Sequence, residues 1–285
     1  MHNPQPRIES YTATNGRRLA VRVWDTNRTP WARVVFQHGI SSHAGWYIRG
    51  SEHLSAAGIQ VHFIDRRGSG LNTENRGDVD HWQTWIEDVA IYLQQISDAY
   101  SSPVLLCGIS WGGKLAAAVA RRHPELVGAL GLICPGLYSP FEPGVIQRLA
   151  LRAPVPRRIH CRRIAIPLRN SALFTDNPPW QRFIADDPAT LRDITWRFAR
   201  EDRALTRYAR QAAPFLHMPI LLMLAGCDRI IDNRRVRRFY TRVLSDNKTL
   251  IEYPEAAHTL EFEPDPQPYF NDLANWIGRA AGCNS

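Results

Sequence analysis

Along the chain, short β-branched and aliphatic runs alternate with longer stretches in which apolar residues recur every three or four positions. A continuous apolar run reads as a strand buried on both faces, and the longer spacing as a helix with one apolar side. The pattern predicts a starting antiparallel pair, 7–13 and 19–26, joined at Asn15-Gly16, a dipeptide suited to a tight hairpin turn. Strands follow at 33–37, 59–65, 103–107, 127–134, 220–225 and 249–253, with helices over about 46–57, 79–97, 111–122, 232–244 and 266–280. This alternation specifies an α/β fold, with a mostly parallel eight-stranded sheet carrying helices on both faces.

The alternation breaks once, after Pro135-Gly136, and resumes at Pro219. The expected organisation is a core of 1–136 and 218–285, with a helical cap of 137–217 inserted after the sixth strand. An insert leaving the C-terminal side of such a sheet covers the strand ends, where open α/β sheets place their sites. Within it, Asp187-Pro188 reads as the N-cap and first residue of a helix that sets Leu191, Ile194, Phe198 and Leu205 near one face.

Composition narrows the class. At 285 residues, 44% hydrophobic and 22% charged, the chain can bury a full core. No apolar run approaches the roughly 18 to 20 residues that cross a bilayer, and Met1 to Tyr11 is polar, so the expected location is cytoplasmic. The five cysteines are scattered without metal or redox spacing and read as free thiols, with no metal or cofactor implied. The net charge is +8, and residues 137–217 hold fourteen arginines against seven acids. Charge without aromatic-interleaved basic motifs does not make a nucleic-acid reader. It leaves peripheral contact with an anionic lipid surface as a partner reading, through Arg157, Arg158, Arg162 and Arg163. The aromatics of the insert (Tyr138, Phe141, Phe174, Trp180, Phe183, Trp196, Phe198 and Tyr208) have two readings. Either they line an apolar tunnel with a basic outer face, or they form the insert's own core beneath solvated arginines.

The sharpest chemical signal is the apolar strand Val104-Leu105-Leu106-Cys107, then Gly108-Ile109-Ser110-Trp111-Gly112, then an alanine-rich helix. Strand, G-x-S-x-G and helix form a nucleophile elbow, in which small residues flank a serine held on a sharp turn. Serine needs a base, and the base a carboxylate that orients it. Downstream, the strand Leu221 to Ala225 runs out into Gly226-Cys227-Asp228, and Tyr253-Pro254-Glu255-Ala256-Ala257 leads to His258, the only histidine after Asp228. The rival acid Asp232 precedes an amphipathic run, where helix capping is its simpler role. An oxyanion formed at Ser110 needs two N–H donors. Trp111 follows the nucleophile, and Ile40 follows His38-Gly39 at the end of an early strand; His38 reads as a structural hydrogen-bonding residue.

These residues resemble the α/β-hydrolase superfamily, and within it the monoacylglycerol-lipase-like serine hydrolases. The likeness extends to His38-Gly39-Ile40-Ser41-Ser42-His43, to Asp65-Arg66-Arg67-Gly68-Ser69-Gly70, to Ala225-Gly226-Cys227-Asp228 and to Asp187-Pro188. Ser69 stands where that group usually carries histidine. The resemblance implies hydrolysis of a carboxylic ester, monoacylglycerol-like or of medium chain length, through an acyl-enzyme. Short-chain or aryl carboxylesterase and thioesterase chemistry are the alternatives, and a ligand-binding receptor on the same scaffold is the non-enzymatic one. Acyl length, alcohol group and oligomeric state stay open.

Overall fold

The computed structural model describes residues 5–100, 104–141 and 156–282. Eight strands form one sheet: β1 Arg7–Thr12, β2 Arg18–Trp24, β3 Ala32–Gln37, β4 Ile59–Ile64, β5 Val104–Ile109, β6 Ala129–Ile133, β9 Ile220–Ala225 and β10 Lys248–Tyr253. Their order is β1-β2-β4-β3-β5-β6-β9-β10. β1 and β2 pair antiparallel, as do β2 and β4, and every other pairing is parallel. The first turn is built as its sequence predicts, with Asn15 and Gly16 at φ 58° and 70°.

Strands β3, β4, β5, β6 and β9 are buried at every position, whereas the edge strands β1 and β10 are mostly exposed or alternate. That is why Val, Ile and Leu dominate the central runs. Two helix pairs cover the sheet: α1 (Ile48–Ala56) lies beside the C-terminal helix Gln267–Ala280, and α2 (Trp82–Tyr100) beside α3 (Trp111–Arg122). Among the described residues, no helix is long and apolar enough to cross a membrane.

Between β6 and β9 the chain leaves the sheet. The described part of this insert holds the short antiparallel pair β7 (Arg163–Ala165) and β8 (Asp193–Thr195), with the helices Pro178–Asp186 and Trp196–Arg210. The reading of Asp187-Pro188 as a helix start is corrected. Asp187 ends the helix 178–186, and the next helix begins at Trp196, where Thr195 Oγ1 caps it by accepting the Phe198 N–H at 3.0 Å. The Asp187 carboxylate is already occupied, accepting from His43 Nε2 (2.9 Å), Trp46 Nε1 (2.8 Å), Thr190 Oγ1 (2.8 Å) and Ala189 N–H (2.9 Å). It ties the insert to the loop after β3. Leu191, Ile194, Phe198 and Leu205 are buried as expected, but they come from a turn, a strand and a helix rather than one helical face.

Candidate active site

Ser110 sits between β5 and α3 with φ 54° and ψ −119°, a backbone region that L-residues avoid and that nucleophile elbows use. The strain is held from both sides. The Ser110 carbonyl accepts the N–H groups of Gly113 (2.9 Å) and Gly136 (2.6 Å). Glycine is obligatory at both flanks, because a Cβ on Gly108 would lie 2.3 Å from the Gly112 carbonyl and one on Gly112 would lie 2.1 Å from the Gln37 carbonyl.

Asp228 and His258 leave the ends of β9 and β10 and meet. His258 Nδ1 lies 2.8 Å from Asp228 Oδ2, with both side chains buried. The other oxygen, Asp228 Oδ1, accepts the N–H groups of Ile230 (2.7 Å) and Ile231 (2.9 Å), which sets the carboxylate plane. His258 shares one small recess with Ser110, Gly39 and Ile40. Asp232 is elsewhere employed, as the N-cap of the helix Asn233–Tyr240, accepting the Arg235 N–H at 3.0 Å. Cys134, Asp228 and His258 bring one potential metal-ligand atom each within 4.8 Å of one another. Burial, reinforced by the Asp228 charge, pushes the Cys134 thiol well above its ordinary range. A protonated thiol is a poor ligand, and the Nδ1 and Oδ2 atoms are already spent on each other.

The two candidate oxyanion donors are held by a network in which His38 has the hydrogen-bonding role expected of it and Arg66 is the unforeseen member. His38 Nε2 accepts the Arg66 N–H at 2.9 Å, so its proton sits on Nδ1 and is donated to the Gly39 carbonyl at 2.7 Å. Arg66 Nη1 adds a 3.3 Å bond to the same carbonyl, and Nη2 donates to the Ile40 carbonyl at 3.0 Å. In a trans peptide the carbonyl and the following N–H point in opposite directions. Anchoring Gly39 O therefore turns the Ile40 N–H away from Arg66. Trp111 N–H lies in the first turn of α3, where backbone donors have no intrahelical acceptor. The Arg66 guanidinium stacks 4.4 Å from the Trp111 ring, so one side chain braces both donors. Burial lowers the Arg66 guanidinium to about 9, which keeps it charged at neutral pH. Burial, and then the Arg66 charge, hold His38 well below the ordinary imidazole range, so it stays neutral. Ser69 is buried and donates to the Ser42 carbonyl at 3.3 Å, a polar tie within the same loop cluster.

A cavity of about 570 Å³ opens beside Ser110, Ile40 and Trp111. Its apolar wall includes Ile164, Ile166, Leu168, Ile194, Ile230 and Ile231. The other wall is polar: Lys114, buried on α3, and Asp202, Arg203, Thr206, Arg207 and Arg210 from the helix Trp196–Arg210. Asp202 Oδ1 accepts from Lys114 Nζ at 2.6 Å and Trp111 Nε1 at 2.5 Å, joining the insert to the residue that follows Ser110. The reading of the insert aromatics as a tunnel lining is corrected. Of the eight named, only Phe141 lines the cavity. Trp180 and Phe183 pack on Phe262, Phe174 on Trp46, Phe198 on Trp85 and Trp111, and Tyr208 on Trp82, so they dock the insert on the core. Lys114 did leave a signal, being one of only two lysines in the chain and set in an alanine-rich helix. Arg66 left none, since its partners lie 26 to 28 residues away.

Near His258, burial raises the Glu261 carboxyl to about 8, while its Oε1 accepts the Gly50 N–H at 2.9 Å. Between the ordinary glutamate range and 8, the native chain holds a proton that the unfolded chain has lost. Stability from this group therefore falls as pH rises through that window. Glu261→Gln keeps an acceptor for Gly50. It should melt like wild type near pH 4.5 and become the more stable protein as pH rises to 8, by on the order of 1 kcal/mol per pH unit. Thermal melts across that range check it, and a constant difference would contradict the burial argument.

A mostly parallel sheet in this strand order, with a serine on a strained strand-to-helix elbow, is the α/β-hydrolase fold, and that defines the class. A family model described as "Serine aminopeptidase, S33" matches residues 28–265, and the chain belongs to that family. It is 27% identical to a monoacylglycerol lipase of Mycolicibacterium smegmatis, over 94% of this chain and 95% of that protein. It is 25% identical to a monoglyceride lipase of Mus musculus, over 98% and 95% of the two chains. Among solved structures, a soluble variant of the Saccharomyces cerevisiae monoglyceride lipase bound to a substrate analogue superimposes with a TM-score of 0.85. It is 19% identical, with 98% of this chain and 96% of that chain covered, and so speaks to the fold alone.

Proposed function

We propose that the protein is a serine hydrolase of carboxylic esters, monoacylglycerol-like or of medium acyl length, with Ser110 as nucleophile, His258 as base and Asp228 as the carboxylate that orients it. The observation that carries the assignment is the 2.8 Å contact between His258 Nδ1 and Asp228 Oδ2, with His258 in one recess with the elbow serine. His258 Nε2 takes the Ser110 proton as Oγ adds to the ester carbonyl, and the N–H groups of Ile40 and Trp111 receive the oxyanion. Collapse expels the alcohol, which takes the proton from His258. Water, deprotonated by His258, then adds to the acyl carbonyl, the bond to Ser110 Oγ breaks to release the acid, and His258 returns the proton to Oγ. We further propose that residues 137–217 act as a cap over the site, and that the enzyme works in the cytoplasm. Exposed Arg158 and Arg162 support peripheral contact with anionic lipid. Arg163 does so less, since its guanidinium already donates to the Arg76 and Asp193 carbonyls.

An ester is favoured over a peptide by the charge of the cavity. An aminopeptidase must seat an ammonium group. Among the described lining residues there are four cations and one carboxylate, Asp202, which is already engaged by Lys114 and Trp111. The expected result is a kcat/KM at least about 10³ higher on a 1-monoacylglycerol or a medium-chain 4-nitrophenyl ester than on an aminoacyl 4-nitroanilide. Comparable rates on the anilide would replace this reading with the peptidase one.

A further inference from the structure

Resting on the ester-hydrolase reading, we propose that the cavity beside Ser110 selects esters that also carry an anionic group, a carboxylate or a phosphate, seated against the basic face of the helix Trp196–Arg210. The sequence pattern allowed that basic residues of the insert all face outward. The structure places several of them inward.

The residues of this helix that line the cavity are Ala199, Asp202, Arg203, Thr206, Arg207 and Arg210. They recur at three and four positions, so they form one continuous face. Two of its aromatic residues, Phe198 and Tyr208, are spent on docking, against Trp85, Trp111 and Trp82. The face turned to the cavity is thus basic rather than apolar. Lys114 extends it to about one helical turn from Ser110, since Lys114 lies on α3 four residues after this N-cap serine. Along the helix, Arg203 and Arg210 are half-buried and Arg207 is exposed.

The charges are not interchangeable. Lys114 is buried and bonded to Asp202 and Thr206, and Arg210 donates to the Leu137 carbonyl and stacks on Tyr138, so these two hold fixed positions. Arg207 is the exposed member of the set and holds no such fixed position. One carboxylate, Asp202, stands against four cations among the described lining residues. A concave site with low-dielectric walls and an excess of charge of one sign focuses its field and favours a ligand of the opposite sign. Ile164, Ile166, Ile194, Ile230 and Ile231 line the same cavity and offer a hydrocarbon chain apolar surface. An amphipathic ester with one anionic end satisfies both surfaces.

The test measures kcat/KM on two matched pairs at low salt. One pair is a 4-nitrophenyl alkanoate and the half-ester of a dicarboxylic acid of the same length, which puts the anion on the acyl side. The other is a 1-monoacylglycerol and its 3-phosphate, which puts it on the alcohol side. The proposal expects the anionic member of at least one pair to be preferred by about tenfold or more. The preferred pair identifies the side and the chemistry. The preference should shrink severalfold in 0.5 M salt, where the Debye length falls to a few ångströms. Arg207→Glu should cut the anionic-to-neutral ratio by about tenfold, while Arg28→Glu, the same charge change on an exposed loop far along the chain, leaves the ratio as in wild type. Neutral esters hydrolysed with no anionic preference in either pair would overturn the proposal and leave the ester-hydrolase reading standing. So would a ratio lowered equally by Arg28→Glu, which would reduce the effect to net charge. No hydrolysis of any of the four, with Ser110 inert to a serine-directed phosphonate, would remove the reading on which the proposal rests.

Discussion

Ser110→Ala and His258→Ala are each expected to lower kcat by roughly 10⁴-fold or more, and the double variant should be scarcely worse than either one. The nucleophile and its base act in one event, so removing either removes that event and the second loss adds nothing. The fold should survive both. Ser110 is held in its strained conformation through its carbonyl, by Gly113 and Gly136, and not through Oγ. Far-ultraviolet circular dichroism and a thermal melt alongside the kinetics separate loss of chemistry from loss of structure. Retention of a tenth of wild-type esterase activity in Ser110→Ala would take the nucleophile role away from this residue.

Asp228→Asn is expected to cost roughly 10³ to 10⁴ in kcat. An asparagine can still accept the Ile230 and Ile231 N–H groups through its carbonyl oxygen. Its amide nitrogen then faces His258 Nδ1, and a donor there turns Nδ1 into an acceptor. The ring proton moves to Nε2, and the base is lost with the geometry intact. Asp232→Asn is the control. It keeps a capping oxygen for the Arg235 N–H and should change stability by about 1 kcal/mol or less, with kcat near wild type. Steady-state kinetics on both variants decide the matter, and the reverse ranking would move the acid role to Asp232.

The parts of the molecule legible in the sequence are those governed by short-range rules. Apolar runs of five or six residues became strands buried on both faces, Asn15-Gly16 became a left-handed turn, and the glycines around Ser110 mark a place where no Cβ fits. Asp228 and His258 were reachable because each leaves the end of a recognisable strand. The insert was harder to read. Asp187 has the residue type and the following proline of a helix cap. Yet its carboxylate is claimed by His43 and Trp46, which lie 144 and 141 residues away and outcompete a local turn. The same holds for the basic face of the helix Trp196–Arg210. Its pattern of arginine and aromatic positions specifies two sides but not which side meets the cavity, and that is decided by the docking of Phe198 on Trp85 and of Asp202 on Trp111. Arg66 reads as one more charged residue in a glycine turn until the fold brings the Gly39 and Ile40 carbonyls against it.

The central claim is that Ser110 is a nucleophile activated by the His258–Asp228 pair, and the most direct measurement is the rate and position of labelling by an activated alkyl phosphonate. The account predicts rapid, stoichiometric modification mapped to Ser110 in wild type, slowed by at least about 100-fold in Asp228→Asn and in His258→Ala. Labelling at a different residue, no labelling of the folded protein, or equal rates in wild type and Asp228→Asn would contradict it.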